Sequence, residues 1–194
     1  MRIFLGLLLI VAAAGVAQAG PLDVPGAAKT LNCTACHGPQ GQSTTDVMPI
    51  LAGMSAGYFK KAIEDYAAGR RVSPEMEPYA KQVIGLGVDE IAGYFAAQKR
   101  TPTPVKVDAA AAERGRAAAA QCAVCHGPRG EGDPAKLVPD LRGQPPGYLR
   151  SQLLLFKQDR RSPGDEQLKA VKALLRTIPD ATLADLAAHY ASQR

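Results

Sequence analysis

Apolar residues recur at helical spacing in several stretches of the chain, and no stretch shows the convincing alternation that a strand requires. Loops rich in Gly and Pro, such as 38–41 and 127–130, separate these stretches. One segment is also very rich in Ala, the residue with the highest helix propensity. The pattern therefore predicts an all-α fold, with helices over 25–31, 58–68, 88–98, 109–122, 148–157 and 183–193.

The two halves of the sequence repeat each other. At an offset of 90 residues, Leu-x-Gly recurs at 51–53 and 141–143, Gly-Tyr at 57–58 and 147–148, and Arg-Arg at 70–71 and 160–161. The last helices match at an offset of 95, so the second half holds five extra residues after Arg161. A repeat of this kind predicts two similar domains. Their boundaries are predicted at 20–98 and 109–194, joined by an extended Pro-containing linker over 99–108.

The N-terminus has the pattern of a signal peptide. A short basic start is followed by an apolar run over 3–16, and Ala17-Gln18-Ala19 supplies small residues for cleavage. The run is shorter than the roughly 20 residues of a membrane span, although an uncleaved anchor is the alternative. We expect removal of residues 1–19, export to the periplasm and no stable membrane insertion after cleavage.

The amino-acid composition excludes several classes of protein. With 46% hydrophobic and 21% charged residues in 194, the chain is neither disordered nor a polytopic membrane protein. The net charge of +5 is too small to indicate a nucleic-acid partner. Most of the basic excess lies in the second half, where it either steers an acidic redox partner or balances the acidic groups of a cofactor.

The cysteine and histidine residues are the strongest indication of the protein's chemistry. Every cysteine belongs to one of two Cys-x-x-Cys-His motifs, the attachment pattern of c-type haem. Positions i, i+3 and i+4 share one helix face, so two thiols can bond one haem while the imidazole meets its iron. The motifs predict covalent attachment at Cys33 and Cys36, and at Cys122 and Cys125, with iron ligands His37 and His126.

Two other uses of these motifs fit less well. Tetrahedral zinc would need a fourth ligand, and a histidine adjacent to the second cysteine suits that geometry poorly. A thioredoxin-like redox pair would need a β-α-β context, which the helical pattern does not supply. Two covalently bound haem c groups are therefore expected.

Taken together, these motifs resemble the dihaem class I cytochromes c. The Cys-x-x-Cys-His-Gly motifs, the Pro-x-Leu-x-Gly loops at 49–53 and 139–143 and the aromatic-Ala-x-Gln ends are most similar to the cytochrome c4 type. The resemblance covers essentially all of residues 20–194. It implies two tandem cytochrome c domains, each wrapped around one haem, and electron transfer between respiratory partners in the bacterial periplasm.

The resemblance also implies a methionine on the second side of the first iron. Met48, Met54 and Met76 are the available sulfurs, and Met76 follows His37 by 39 residues, where the family has its distal methionine. In the family, the counterpart of the Pro49 carbonyl receives the ring N–H of the haem-bound histidine.

The second half departs from this pattern because it contains no methionine. The two repeat offsets place Glu166 or Val171 opposite Met76. The second iron is then open or weakly held, or it takes a lysine, Lys172 or Lys169, or else His189, for which a packing role is favoured. Lys172 is the candidate sixth ligand. Without a thioether ligand, the second haem should have the lower reduction potential.

Three functions remain in competition. The leading one is a periplasmic electron carrier without catalytic activity of its own, whose partners are redox proteins such as a respiratory complex, an oxidase or a dehydrogenase. The second is a haem-bearing subunit of a larger dehydrogenase or oxidase. The third is an enzyme or ligand-binding protein that uses an open second haem, although so small a chain leaves little room for a substrate pocket.

Overall fold

A computed structural model describes residues 22–194, and within them the predicted all-α fold is confirmed. Only two isolated β-bridges interrupt the helical and loop structure of this part of the chain. The predicted signal peptide, residues 1–19, lies outside the described residues. No helix in 22–194 is long and apolar enough to cross a membrane. The α-helices are α1 (Leu31–His37), α2 (Ala56–Ala67), α3 (Met76–Ala97), α4 (Ala109–Ala119), α5 (Ala123–His126), α6 (Pro146–Lys157), α7 (Lys169–Thr177) and α8 (Asp180–Ser192).

The helices depart most from the sequence prediction in three places. The helix predicted over 25–31 is a short 3-10 turn, Ala28–Thr30, and α1 behind it carries the first cysteine motif itself. Helix α3 begins twelve residues before the predicted 88, as two helical segments that meet at Gly87 with φ 99° and ψ 83°. Helix α7 was not predicted. Glycines inside the first segment of α3 weaken the apolar periodicity there. Helix α7 does carry its apolar residues on one face, and the sequence prediction missed it as a short element of nine residues.

Each half has its own apolar core. In the first, α2 packs on α3, and the rings of Phe59 and Phe95 lie 5.6 Å apart. In the second, α4 and α6 pack against α8 around Leu183 and Leu186. The close approach of α4 and α8 depends on Gly115, because a Cβ there would collide with the Asp185 carbonyl oxygen.

The two halves bond to each other through backbone and buried side chains. The Gln144 amide accepts from the Ile50 N–H at 2.9 Å and donates to the Ile50 carbonyl at 2.8 Å. The Tyr148 N–H donates to the Asp46 carbonyl at 2.9 Å. These hydrogen bonds favour one orientation of the two halves relative to each other, because any other orientation would leave the polar groups unpaired.

Candidate haem sites

The first cysteine motif opens onto a large cavity. Cys33, Cys36 and His37 lie on α1 and line a cavity of about 490 Å³, which Met76 also borders. Helical spacing places both thiols and the imidazole on this side of α1, as the motif predicts. Neither thiol is in a disulfide, and burial raises the pKa of Cys33. This arrangement supplies two thiols and one nitrogen ligand to a planar group of haem size.

The orientation of His37 is set by the loop that follows α1. Its Nδ1 lies 2.9 Å from the Pro49 carbonyl oxygen, the partner that the family resemblance implied. A carbonyl only accepts, so Nδ1 carries the hydrogen and Nε2 keeps its lone pair. Burial lowers the pKa of His37, which favours the neutral ring. A neutral imidazole held by a carbonyl in this way is suited to bind iron.

Met76 stands at the first turn of α3. Its N–H donates to Ser73 Oγ at 3.2 Å, while the Glu77 carboxylate accepts from the Ser73 N–H at 3.1 Å. This reciprocal pair closely resembles a capping box and fixes where α3 begins. Met48 and Met54 line the same cavity, so all three methionines of residues 22–98 border it.

The second domain contributes to the wall of this cavity. Tyr148, Gln152, Leu155 and Arg160 line it together with the residues of the first half. The sequence repeat shows that the halves are alike but not that one completes the pocket of the other, so these residues were missed.

The second motif repeats the geometry of the first. Cys122 follows α4, while Cys125 and His126 lie on α5. His126 Nδ1 is 3.1 Å from the Pro139 carbonyl oxygen, and burial lowers the pKa of this imidazole too. Pro49 and Pro139 are equivalent in the sequence repeat, so each histidine is oriented by the corresponding loop of its own half.

Lys172, the candidate sixth ligand of the second iron, is bonded elsewhere. Its ammonium donates to Asp159 Oδ1 at 2.6 Å and to the Ser162 carbonyl oxygen. In both contacts Lys172 acts as a hydrogen-bond donor, and a donor ammonium has no lone pair to offer iron. The geometry thus gives the predicted Lys172 ligation no support.

His189, the spare imidazole, is part of the helix packing. It lies on α8, and its ring centroid is 5.2 Å from that of Tyr190. A Cβ added at Gly115 of α4 would lie only 2.9 Å from the His189 Cβ, so the two helices are in close contact here. This is the packing role that the sequence favoured.

Two buried arginines meet where the halves join, one from each Arg-Arg pair of the sequence repeat, for which contact with haem propionates and exposed salt bridges were equally good interpretations. Arg71 donates to the Tyr148 hydroxyl at 2.8 Å, and Arg161 donates to the Tyr58 hydroxyl at 2.6 Å. Both also donate to the Gln152 side-chain oxygen. Within residues 22–194, neither guanidinium forms an ion pair with a carboxylate. Burying a charge without a counter-charge costs free energy of folding. A bound anionic group, such as a haem propionate, fits this pair.

The chain is similar to known proteins in both sequence and fold. The family model described as Cytochrome c matches residues 112–192. Cytochrome c4 of Azotobacter vinelandii is 31% identical over 179 residues, which cover 84% of this chain and 85% of the relative. The thiosulfate dehydrogenase electron acceptor of Stutzerimonas stutzeri is 31% identical over 171 residues, 82% of this chain and 78% of the relative. The crystal structure of reduced recombinant cytochrome c4 from Pseudomonas stutzeri superposes with a TM-score of 0.75 at 26% identity, covering 86% of this chain and 96% of that one.

Proposed function

Because this chain belongs to the cytochrome c4 family, a family of electron carriers with covalently bound haem c, we propose that it carries single electrons between redox proteins of the periplasm. The observation that supports this most strongly is the repeated Cys-x-x-Cys-His site, in which each imidazole is held by a proline carbonyl. When bound, haem c would supply an iron that accepts and donates single electrons.

The chain's own residues would attach and orient two such groups. Cys33 and Cys36 form the thioethers of the first, with His37 and Met76 as iron ligands. Met76 is preferred over Met48 and Met54 because it follows His37 by 39 residues, where the family has its distal methionine, and because it lines the same cavity as His37. In the second half, Cys122 and Cys125 form the thioethers and His126 binds the iron.

The arginine pair would hold the acidic edges of both haems at the domain junction. Arg71 and Arg161 sit beside each other and reach across to tyrosines of opposite halves. Their buried positive charge would neutralise propionates and keep the two groups at a fixed separation. Exchange of electrons within the chain would follow from that fixed separation.

Export would place the carrier with its partners. Cleavage after Ala19 would leave the described part of the chain, which has no membrane-spanning helix. One relative is named as the electron acceptor of a thiosulfate dehydrogenase, and another is named as the cytochrome subunit of a sulfide dehydrogenase. On this ground a second candidate function is a cytochrome subunit of a dehydrogenase. In both cases a redox protein is the partner, and the chain itself would have no catalytic site.

The experiment is to express the full chain with its export signal in a host that attaches haem c. We expect a mature protein that begins at Gly20, contains two covalent haems and takes up two electrons per chain in a reductive titration. The variant carrying Cys122→Ser and Cys125→Ser should keep one haem and take up one electron. A purified wild-type chain without covalent haem, or one that oxidises thiosulfate alone, would contradict the proposal.

A further inference from the structure

Helices α3 and α7 begin with the same bonding pattern. The Met76 N–H donates to the Ser73 carbonyl at 3.1 Å and to Ser73 Oγ at 3.2 Å. The Leu168 N–H, in the 3-10 turn that leads into α7, donates to the Asp165 carbonyl at 3.2 Å and to Asp165 Oδ1 at 3.4 Å. Each pair is separated by three residues, so the cap of one helix corresponds to the cap of the other at an offset of 92.

The buried positions of the two helices follow the same offset. Ala80 and Val83 are the buried residues of the first helical segment of α3, and Lys172 and Leu175 are those of α7. Two independent features, the cap and the buried face, thus give the same offset of 92 residues between α3 and α7. It places Leu168 where the distal methionine stands in the first domain.

This correspondence replaces the two that the sequence repeat gave. Offsets of 90 and 95 pointed to Glu166 and Val171, but both side chains are exposed, and Glu166 pairs with Lys169 at 3.3 Å. The five extra residues of the second half are therefore divided, two before α7 and three after it. Neither offset alone finds the counterpart of Met76.

An aliphatic side chain cannot bind iron, and the other candidates in the second half are engaged elsewhere. Lys172 is paired with Asp159, Lys169 is largely exposed, and His189 packs against α4. No methionine follows Met76 in the sequence.

We propose that the second haem binds a small neutral diatomic ligand, of the class of carbon monoxide or nitric oxide, on the side where the correspondence with Met76 places Leu168. The inference rests on the proposed attachment of haem at Cys122 and Cys125. Leu168 offers such a ligand neither a competing bond nor a hydrogen bond, which favours neutral molecules over anions. The ligand adds to ferrous iron through its own lone pair, so no electron or proton has to be supplied.

Carbon monoxide titration of the dithionite-reduced holoprotein tests the proposal by absorption spectroscopy. Wild type should bind one carbon monoxide per chain, at half of its haem. Leu168→Met should bind none and gain the absorption band of a ferric haem with a thioether ligand. The matched change in the first domain, Met76→Leu, should raise binding to two per chain.

Haem content measured on the same samples separates the two claims. A chain with fewer than two haems contradicts the proposed function. A chain with two haems that binds no carbon monoxide, or a Leu168→Met variant that binds as wild type does, overturns this inference alone. Binding that appears only in Lys172→Gln would assign the sixth position to Lys172 and would also overturn it.

Discussion

Arg71 and Arg161 face each other in an isolated antiparallel bridge, and each guanidinium reaches a tyrosine of the opposite half. Gln152 accepts hydrogen bonds from both. The Arg-Arg motifs that the sequence repeat singles out are therefore the centre of the contact between domains. Burying two like charges without a counter-charge is unfavourable, and Arg71 lines the haem cavity. We therefore propose that the pair serves the acidic groups of the cofactor.

Replacing Arg71 tests this role. Arg71→Met should lower the reduction potential of the first haem, because a buried positive charge favours the reduced state, which carries one positive charge fewer. The neighbouring Arg70 is half-exposed and paired with Asp65, so Arg70→Met is the matched control and should change the potential much less. Equal shifts in a spectroelectrochemical titration would show that Arg71 has no special contact with haem.

The buried amide of Gln144 should contribute measurably to stability. Gln144→Leu removes both bonds to Ile50 and leaves a buried N–H and carbonyl unpaired, at a cost of about 2–4 kcal/mol. Gln42→Ala removes two bonds to Thr101 at an exposed site and should cost less than about 1 kcal/mol. Denaturant unfolding of the holoprotein measures both, and similar losses would contradict the importance of the Gln144 contact.

Close packing of α4 on α8 predicts a strong effect of one methyl group. Gly115→Ala should destabilise the protein by about 3 kcal/mol, because its Cβ would meet the Asp185 carbonyl and His189. Gly93→Ala, in α3 with open space around the site, should be neutral or stabilise by about 0.5–1 kcal/mol. Thermal unfolding of both variants provides the comparison. Unchanged stability of the Gly115→Ala variant would mean that α4 and α8 are not in tight contact.

Acid should remove the stabilisation that comes from Asp65. Burial opposes ionisation of this carboxyl, but hydrogen bonds from Lys61 and Arg70 outweigh it and hold the pKa below its usual value. The contribution is therefore present above the unfolded pKa of about 3.9 and is lost as pH falls through the lower folded value. Asp65→Asn should be less stable than wild type at pH 7, and the difference in unfolding free energy should shrink below about pH 4. A difference that stays constant with pH would exclude this origin.

The sequence predicted the residues whose spacing is dictated by covalent chemistry. Attachment of one haem requires two thiols and an imidazole on a single helical turn, and this constraint is visible without a structure. The correspondence of Met76 with Leu168 was not visible, because the extra residues of the second half are divided between the two sides of α7. Contacts between the halves, such as that of Arg71 with Tyr148, were also missed, since a repeat indicates likeness and not which half supplies a partner.

The most direct test of the account is a potentiometric titration of the purified dihaem protein, followed through the absorption of reduced haem. We predict two one-electron transitions, and the variant with Cys122→Ser and Cys125→Ser should lose the one at lower potential, since the second iron lacks a thioether ligand. A single two-electron transition in wild type, or loss of the higher transition in the variant, would contradict the account.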